Sequence, residues 1–357
     1  MSIKDLFIQF AETPSPSGKE KQISDLLVIW IRENLKIEPY QDNSYNIHFS
    51  FVPTPKYCFC AHMDTVQPAE GIKVQEQDDY LTSSGNSILG ADNKASLSAI
   101  LYSLKSLIED GVTPDCEVLL TVREETDGGI KDFDLTKLKS KLVYIFDKGG
   151  DGLDCVVTQA GTIYDFEAEI IGRSAHASRP EEGVNSLLII QDFLNHVTLG
   201  RPDQSTTFNI GTLNGGVGTN TSIGELRFSG DLRSFEKNKF KQYKDKIDNA
   251  FNNAISKYFT RGKIIWKPYR EGYQIESLDK DLIALKNIDN TINLNLREIS
   301  VTSGSDANFF NNNGFKAFNL GYGAENVHSV DERIKVNYLD TLVEIIRNIL
   351  LFNSKIS

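Results

Sequence analysis

Three short apolar runs, each closing on charged or imidazole side chains, constrain this chain more than any other feature. YCFCA leads into His62, CEVLLTV into Arg123, Glu124 and Glu125, and LVYIF into Asp147. Continuous apolar runs of this kind suit strands buried on both faces of a sheet. A helical pattern over 94–109 lies between the first and second of them. That alternation argues for an α/β layer fold. In open α/β sheets, ligands gather at the carboxyl ends of the strands. The run ends are therefore where chemistry is expected.

The chain starts with a short helix over 3–12 and a turn, TPSPSG. Ser17 and Glu20 have capping-box spacing ahead of a helical pattern made by Ile23, Leu26, Leu27, Trp30 and Ile31. From about residue 162 the pattern changes. TIYDFEAEIIG alternates like a half-exposed strand, GVNSLLIIQDFLNHV reads as a helix, and TTFNIGTL and GELRFSGDLRS read as strands flanking NGGVGTNTS. A polar helix over 236–258 and the strand KIIWKPY follow. The order β-α-β-β-α-β is that of a ferredoxin-like split βαβ unit. The expected organisation is one domain over 1–161 and 274–357, with a second, 162–273, inserted into it. The returning chain is expected to form a helix, a strand near 297–301, the strand FKAFNL and a C-terminal helix over 337–352.

The 357 residues suit about two domains. A formal net charge of -11 argues against a nucleic acid backbone or an anionic membrane as the main partner. None of the four cysteines, Cys58, Cys60, Cys116 and Cys155, forms a C-x-x-C pair, and a reducing cytoplasm is the expected compartment. The opening MSIKDLFIQFAE is acidic and unlike a signal peptide, and no run approaches the ~18–20 apolar residues of a membrane span.

Each candidate site residue has a plain alternative. His62 and Asp64 in AHMDT point to one side of an extended chain, and Asp64 suits the carboxylate that a metal-bound imidazole's second N–H seeks; a structural pair is the alternative. Asp92 in GADNKA stands where a helix N-cap would. Glu124 and Glu125 repel each other unless a cation is near, yet a solvated strand end accounts for them too. Asp147 in IFDKGG and His328 in GAENVHSVDE read individually as a turn carboxylate and a surface histidine. Together they place imidazoles and carboxylates at strand ends and adjoining loops. Such a donor set suits zinc, manganese or cobalt. Two divalent ions about 3.5–4 Å apart, bridged by a carboxylate, would balance the charge.

AHMDT, GADNKA, the EE pair, the strand-end Asp147, GRSAHAS and VHSVDE occur in the order found in the aminoacylase, carnosinase and peptidase T metallohydrolases, which the chain resembles from about Thr13 to its C-terminal helix. SGSDANFF and NLGYGAENVHSVDE look most like the peptidase T branch. The resemblance implies a mixed-sheet, zinc-exopeptidase-like catalytic domain carrying the ferredoxin-like insert as a lid and dimerisation module, hence a homodimer. It implies that Asp92 bridges two metal ions, that His62 and Asp147 complete one site, and that Glu125 and His328 complete the other. It makes Asp64 the orienter of His62 and Glu124 the general base acting on a metal-bridging water. A cis peptide after Asp92 is part of the same pattern. His176 matches an oxyanion-stabilising histidine, Asn220 and Arg233 match positions that hold the substrate carboxylate, and Gly304 matches a close-approach glycine at the substrate, beside Ser305, which also suits a helix N-cap. TDGGIKDF after the glutamates is more polar than the family pattern, and Lys148, next to Asp147, must point away from a metal.

The expected activity is hydrolysis of an amide bond in a small peptide by an aminopeptidase of tripeptidase type, with zinc the expected metal. An N-acyl amino acid deacylase or dipeptidase would use the same residues. From another class, an inactive metal-binding scaffold is countered by the retention of Glu124 and all five proposed ligands. A nucleotide-binding dehydrogenase is countered by GGVGTN, which lacks the G-x-G-x-x-G register and lies in the insert.

Overall fold

A computed structural model describes residues 1–352 apart from 291 and 293. In chain order the first part of the fold is α1 (Ile3–Ala11), α2 (Lys21–Leu35), β1 (Tyr40–Gln41), β2 (Ile47–Ser50), β3 (Tyr57–His62), β4 (Val74–Gln77), β5 (Tyr80–Ser83), α3 (Ala91–Glu109), β6 (Cys116–Thr121), β7 (Leu142–Lys148) and β8 (Cys155–Ala160). The middle is β9 (Thr162–Ile171), α4 (Ser186–Leu194), β10 (Thr206–Gly215), β11 (Glu225–Ser234), α5 (Lys237–Lys257), β12 (Arg261–Arg270) and β13 (Tyr273–Gln274). The chain then makes α6 (Lys280–Asn290), β14 (Arg297–Val301), α7 (Asp306–Asn312), β15 (Lys316–Gly321), β16 (Arg333–Lys335) and α8 (Val336–Phe352).

The chain clusters into two compact units. One holds Met1–Thr158, Ile275–Ile299 and the chain from Ser305 onward; the other holds Gln159–Gln274 and the short return Ser300–Gly304. The return belongs with the second unit because Val301 accepts a hydrogen bond from the N–H of Gly161 at 2.9 Å and Thr302 accepts one from Arg233 at 3.2 Å. Reading the sequence alone assigns that segment to the first unit.

In the first unit the strand order is β1-β2-β6-β3-β7-β15-β8. The central strands β6, β3, β7 and β15 run parallel, and the flanking β2 and β8 pair antiparallel. The sheet is mixed α/β, as the apolar runs require: every residue of β3 and β6 is buried. Parallel neighbours need a crossover, and α3 supplies the one between β3 and β6. A small sheet of order β16-β5-β4 completes this unit.

The second unit is a four-stranded antiparallel sheet of order β10-β11-β9-β12, with α4 and α5 packed against the sheet. Its connectivity, β9-α4-β10-β11-α5-β12, is the ferredoxin-like one. β9 alternates as expected, with Phe166, Ala168 and Ile170 buried and Glu167 exposed. Phe166, Phe193, Phe208, Phe228 and Phe251 build the core. β10 is an edge strand whose last five residues, Gly211–Gly215, are exposed. No described helix is long and apolar enough to cross a membrane.

Candidate metal centre

Sheet register assembles the site. His62, the last residue of β3, pairs with Thr121 of β6, which puts Glu124 and Glu125 just beyond the same edge. Cys60 pairs with Ile145 of β7, so Asp147 comes level with His62. The β7–β15 register slips by one residue at Asp147, between the Leu320–Phe146 and Gly321–Lys148 pairs. The displaced N–H of Asp147 donates to the Asn319 side chain at 3.0 Å. A register slip of this kind re-aims a side chain.

His62 and Asp92 lie at the centre. Nε2 of His62 is 3.2 Å from Asp92 Oδ1 and 3.4 Å from Asp147 Oδ1. Its Nδ1 faces the main-chain oxygen of Asp64 at 3.0 Å and Oδ1 of Asp64 at 3.4 Å. An imidazole that donates through Nδ1 leaves Nε2 for a metal. On the other side, His328 Nε2 is 2.9 Å from Glu125 Oε1 and 3.3 Å from Asp92 Oδ2. Asp92 thus offers one oxygen to each imidazole. In both triads, His62–Asp92–Asp147 and Asp92–Glu125–His328, ligand atoms lie within 4.8 Å of one another.

The electrostatics call for added positive charge. Burial pushes Asp147 up to about 7, with His62 pulling it down and Asp92 and Glu125 repelling it. Burial and Asp92 also raise Glu125. Hydrogen bonds that His328 donates to Asp92 and Glu125 push its imidazolium up to about 11. Carboxylates crowded in this way, with imidazoles between them, fit a pair of divalent cations shared through Asp92. The cysteines are absent from both triads.

Asp64 is buried under this layer and its carboxylate collects three donors from two segments. Its Oδ2 accepts from Ser17 Oγ at 2.7 Å and from the N–H of Glu125 at 3.2 Å; its Oδ1 accepts from the N–H of Glu124 at 3.0 Å. Ser17 is accordingly not the helix cap its spacing suggests. α2 starts at Lys21 with no side-chain cap, and the Glu20 carboxylate instead accepts N–H groups of Gly18 and Arg123. The hydroxyl is worth more to a buried carboxylate than to an exposed helix end. Nor does Asp92 cap α3: Gly90 is the cap residue, and Asp92 and Asn93 depart from helical geometry. The Asp92–Asn93 peptide is cis.

Other residues of the site carry no metal-binding signature. Asn93 donates to Asp147 Oδ1 at 2.8 Å and to the Phe146 carbonyl at 2.7 Å. Glu332 accepts the N–H groups of Gly90 and Asp92 at 2.6 and 2.9 Å. Both lie inside the GADNKA and VHSVDE motifs, whose spacing singles out the candidate ligands but not these partners. Lys148 turns to Asp151, 2.5 Å away.

Within the second unit, His176 and Asn220 are brought together: His176 bridges Thr221 across the backbone, and Ala177 donates to the Asn220 carbonyl at 2.9 Å. His176 is exposed, with Nδ1 2.7 Å from Ser178 Oγ. Arg233 is bound to Asp231 at 2.7 Å. Gly304 lies against the stem of Arg270, where an added Cβ would stand 2.5 Å from Cγ. Ser305 caps α7 in a capping box with Asn308.

The match to the Peptidase dimerisation domain of the M20 family covers residues 161–258. The chain is 30% identical over 291 residues to the uncharacterized protein YqjE of Bacillus subtilis (strain 168), an alignment covering 81% of this chain and 78% of YqjE. It superposes on aminopeptidase PepT from Bacillus cereus ATCC 10987 with a TM-score of 0.89 at 27% identity, covering 98% of this chain and 97% of the other. A tripeptidase from Staphylococcus aureus subsp. aureus Mu50 gives 0.92 at 27% identity, covering 98% and 96%. With the sheet order and the ferredoxin-like unit, these likenesses place the chain: it belongs to the M20 metallopeptidase family, on the peptidase T-like branch, and is a peptidase.

Proposed function

We propose that the chain is a dimetal aminopeptidase acting on short peptides, a tripeptidase in its preference, with zinc as its metal. The observation that carries this reading is Asp92, whose two oxygens face His62 and His328 separately. His62 and Asp147 would hold one ion, Glu125 and His328 the other, and Asp92 both. When bound, the ions polarise the scissile carbonyl and make a water nucleophilic near neutral pH.

The protein's own groups do the rest. Glu124 takes the proton of the attacking water as its oxygen bonds to the carbonyl carbon, then delivers that proton to the amine as the C–N bond breaks. Asp64 fixes the chain on either side of Glu124 and keeps His62 oriented. We assign His176 to the oxyanion that forms on the carbonyl. Asn220 and Arg233 are assigned to the substrate carboxylate, for which a guanidinium is the suited donor. Gly304 belongs to the substrate side of the same assignment. A homodimer through the second unit fits the dimerisation-domain match and the exposed edge strand β10. The cytoplasm fits four buried, free cysteines.

Metal analysis of the purified protein followed by a substrate screen tests this. About two equivalents of metal and chelator-sensitive cleavage of tripeptides with a free α-amino group are expected. Preferred cleavage of N-acyl amino acids would replace the aminopeptidase by a deacylase, and stoichiometric metal with no turnover on any amide would leave an inert scaffold.

A further inference from the structure

Glu332 is wholly buried, as is Lys94. One carboxylate oxygen of Glu332 accepts from the N–H of Gly90 at 2.6 Å and the other from the N–H of Asp92 at 2.9 Å. Those are donors at the start of α3 that no side chain of the helix satisfies. A negative charge there is favoured by the helix dipole as well. Glu332 also stands four residues beyond His328, in the turn where its own N–H donates to the Ser329 carbonyl at 3.0 Å. It therefore joins two segments that are far apart in sequence, the backbone of Asp92 and the loop of His328.

Lys94 completes the arrangement. Its ammonium donates to Thr65 Oγ1 at 2.5 Å, and the carboxylates of Glu332, Asp64 and Asp92 all act on it. Gly90, at φ +75°, leaves room for this packing, since a Cβ would come within 3.0 Å of Thr65 Oγ1 and 3.1 Å of Lys94 Nζ. A buried carboxylate is tolerated only when its oxygens are satisfied and a cation is close.

We propose that Glu332 is a positioning residue: its carboxylate clamps the backbone of Asp92 to the loop that carries His328, and so sets the spacing between the two halves of the metal centre. This rests on the reading of Asp92 and His328 as ligands. Supporting partners of metal ligands are worth about 10–100-fold in metal affinity.

The test titrates metal-free wild type, Glu332→Gln and Glu332→Asp with Co²⁺ alone, following visible absorbance and heat, with the thermal midpoint of each metal-free protein measured alongside. Both variants should bind Co²⁺ more weakly than wild type by about 10-fold or more, because Gln offers a single acceptor oxygen and Asp is too short to span both N–H groups. The change must exceed any loss predicted from the thermal midpoint alone. If Glu332→Gln does not fold, Glu332→Asp is read by the same criterion. Wild-type affinity in either folded variant, or a loss that merely follows the midpoint, overturns the clamp. Wild type that fails to take up two equivalents overturns the ligand assignment instead, which keeps the two failures distinct.

Discussion

The main-chain N–H of Glu124 donates to Oδ1 of Asp64 at 3.0 Å, so the proposed base hangs from the same carboxylate that faces the ring of His62. Asp64→Ala removes the acceptor for Ser17, Glu124 and Glu125 at once. We expect metal affinity to fall about 10–100-fold and kcat to fall with it. Equilibrium dialysis together with steady-state kinetics at saturating metal separates the two effects. A variant whose kcat recovers fully at high metal would limit Asp64 to orienting His62.

Glu124→Gln keeps the shape of the side chain and removes its basicity. Retention of two metal equivalents with kcat reduced about 10²–10⁴-fold is expected, checked by metal analysis and turnover on one preparation. Near-normal turnover would take the base assignment away.

Gly304→Ala pushes a methyl to 2.5 Å from Arg270 Cγ. Arg270 is only 5% exposed and its guanidinium stacks 4.3 Å from the ring centroid of Tyr269, so it has little room to move. A loss of about 1–3 kcal/mol in denaturant unfolding is expected. In an Arg270→Ala background the same substitution should cost far less, and an equal cost in both backgrounds would locate the strain elsewhere.

Asp279 stands just ahead of α6 and accepts the N–H groups of Asp281 and Leu282 at 2.9 and 3.2 Å, while Lys316 approaches at 2.6 Å. Burial pushes its carboxyl up, but Lys316 and these N–H groups outweigh burial and hold it below the usual range. A lowered folded-state value stabilises above the unfolded one and is lost as pH falls through the folded one. Asp279→Ala should therefore cost about 1 kcal/mol at neutral pH, and the gap should narrow as pH drops below about 4. Thermal melts across that range are the check; a gap that stays constant with pH would assign the effect to packing.

Much of this architecture is legible in the sequence because it follows from periodicity. The fully buried β3 and β6 read as unbroken apolar runs, and β9 reads as an alternating strand. The start of regular helix after Asn93 agrees with the pattern over 94–109, since Asp92 and Asn93 depart from helical angles. Contacts decided by three-dimensional proximity are not legible. Ser17 has the spacing of a cap but finds Asp64, 47 residues away, and nothing local announces that choice. Asn93 and Glu332 act on Asp147 and Asp92 across separations of 54 and 240 residues. A motif records that such residues occur; only register and loop closure decide what they touch.

The two imidazoles of the centre differ sharply in cover: the His62 side chain is 2% exposed and that of His328 is 49% exposed. For the two ions proposed there, exchange with the surrounding solution is expected to be lopsided. A chelator or competing ion gains entry past His328 first, so removal should run in a fast step and a slow one, and half-loaded protein should accumulate between them. The slow half would then act as an anchor around which the fast half refills.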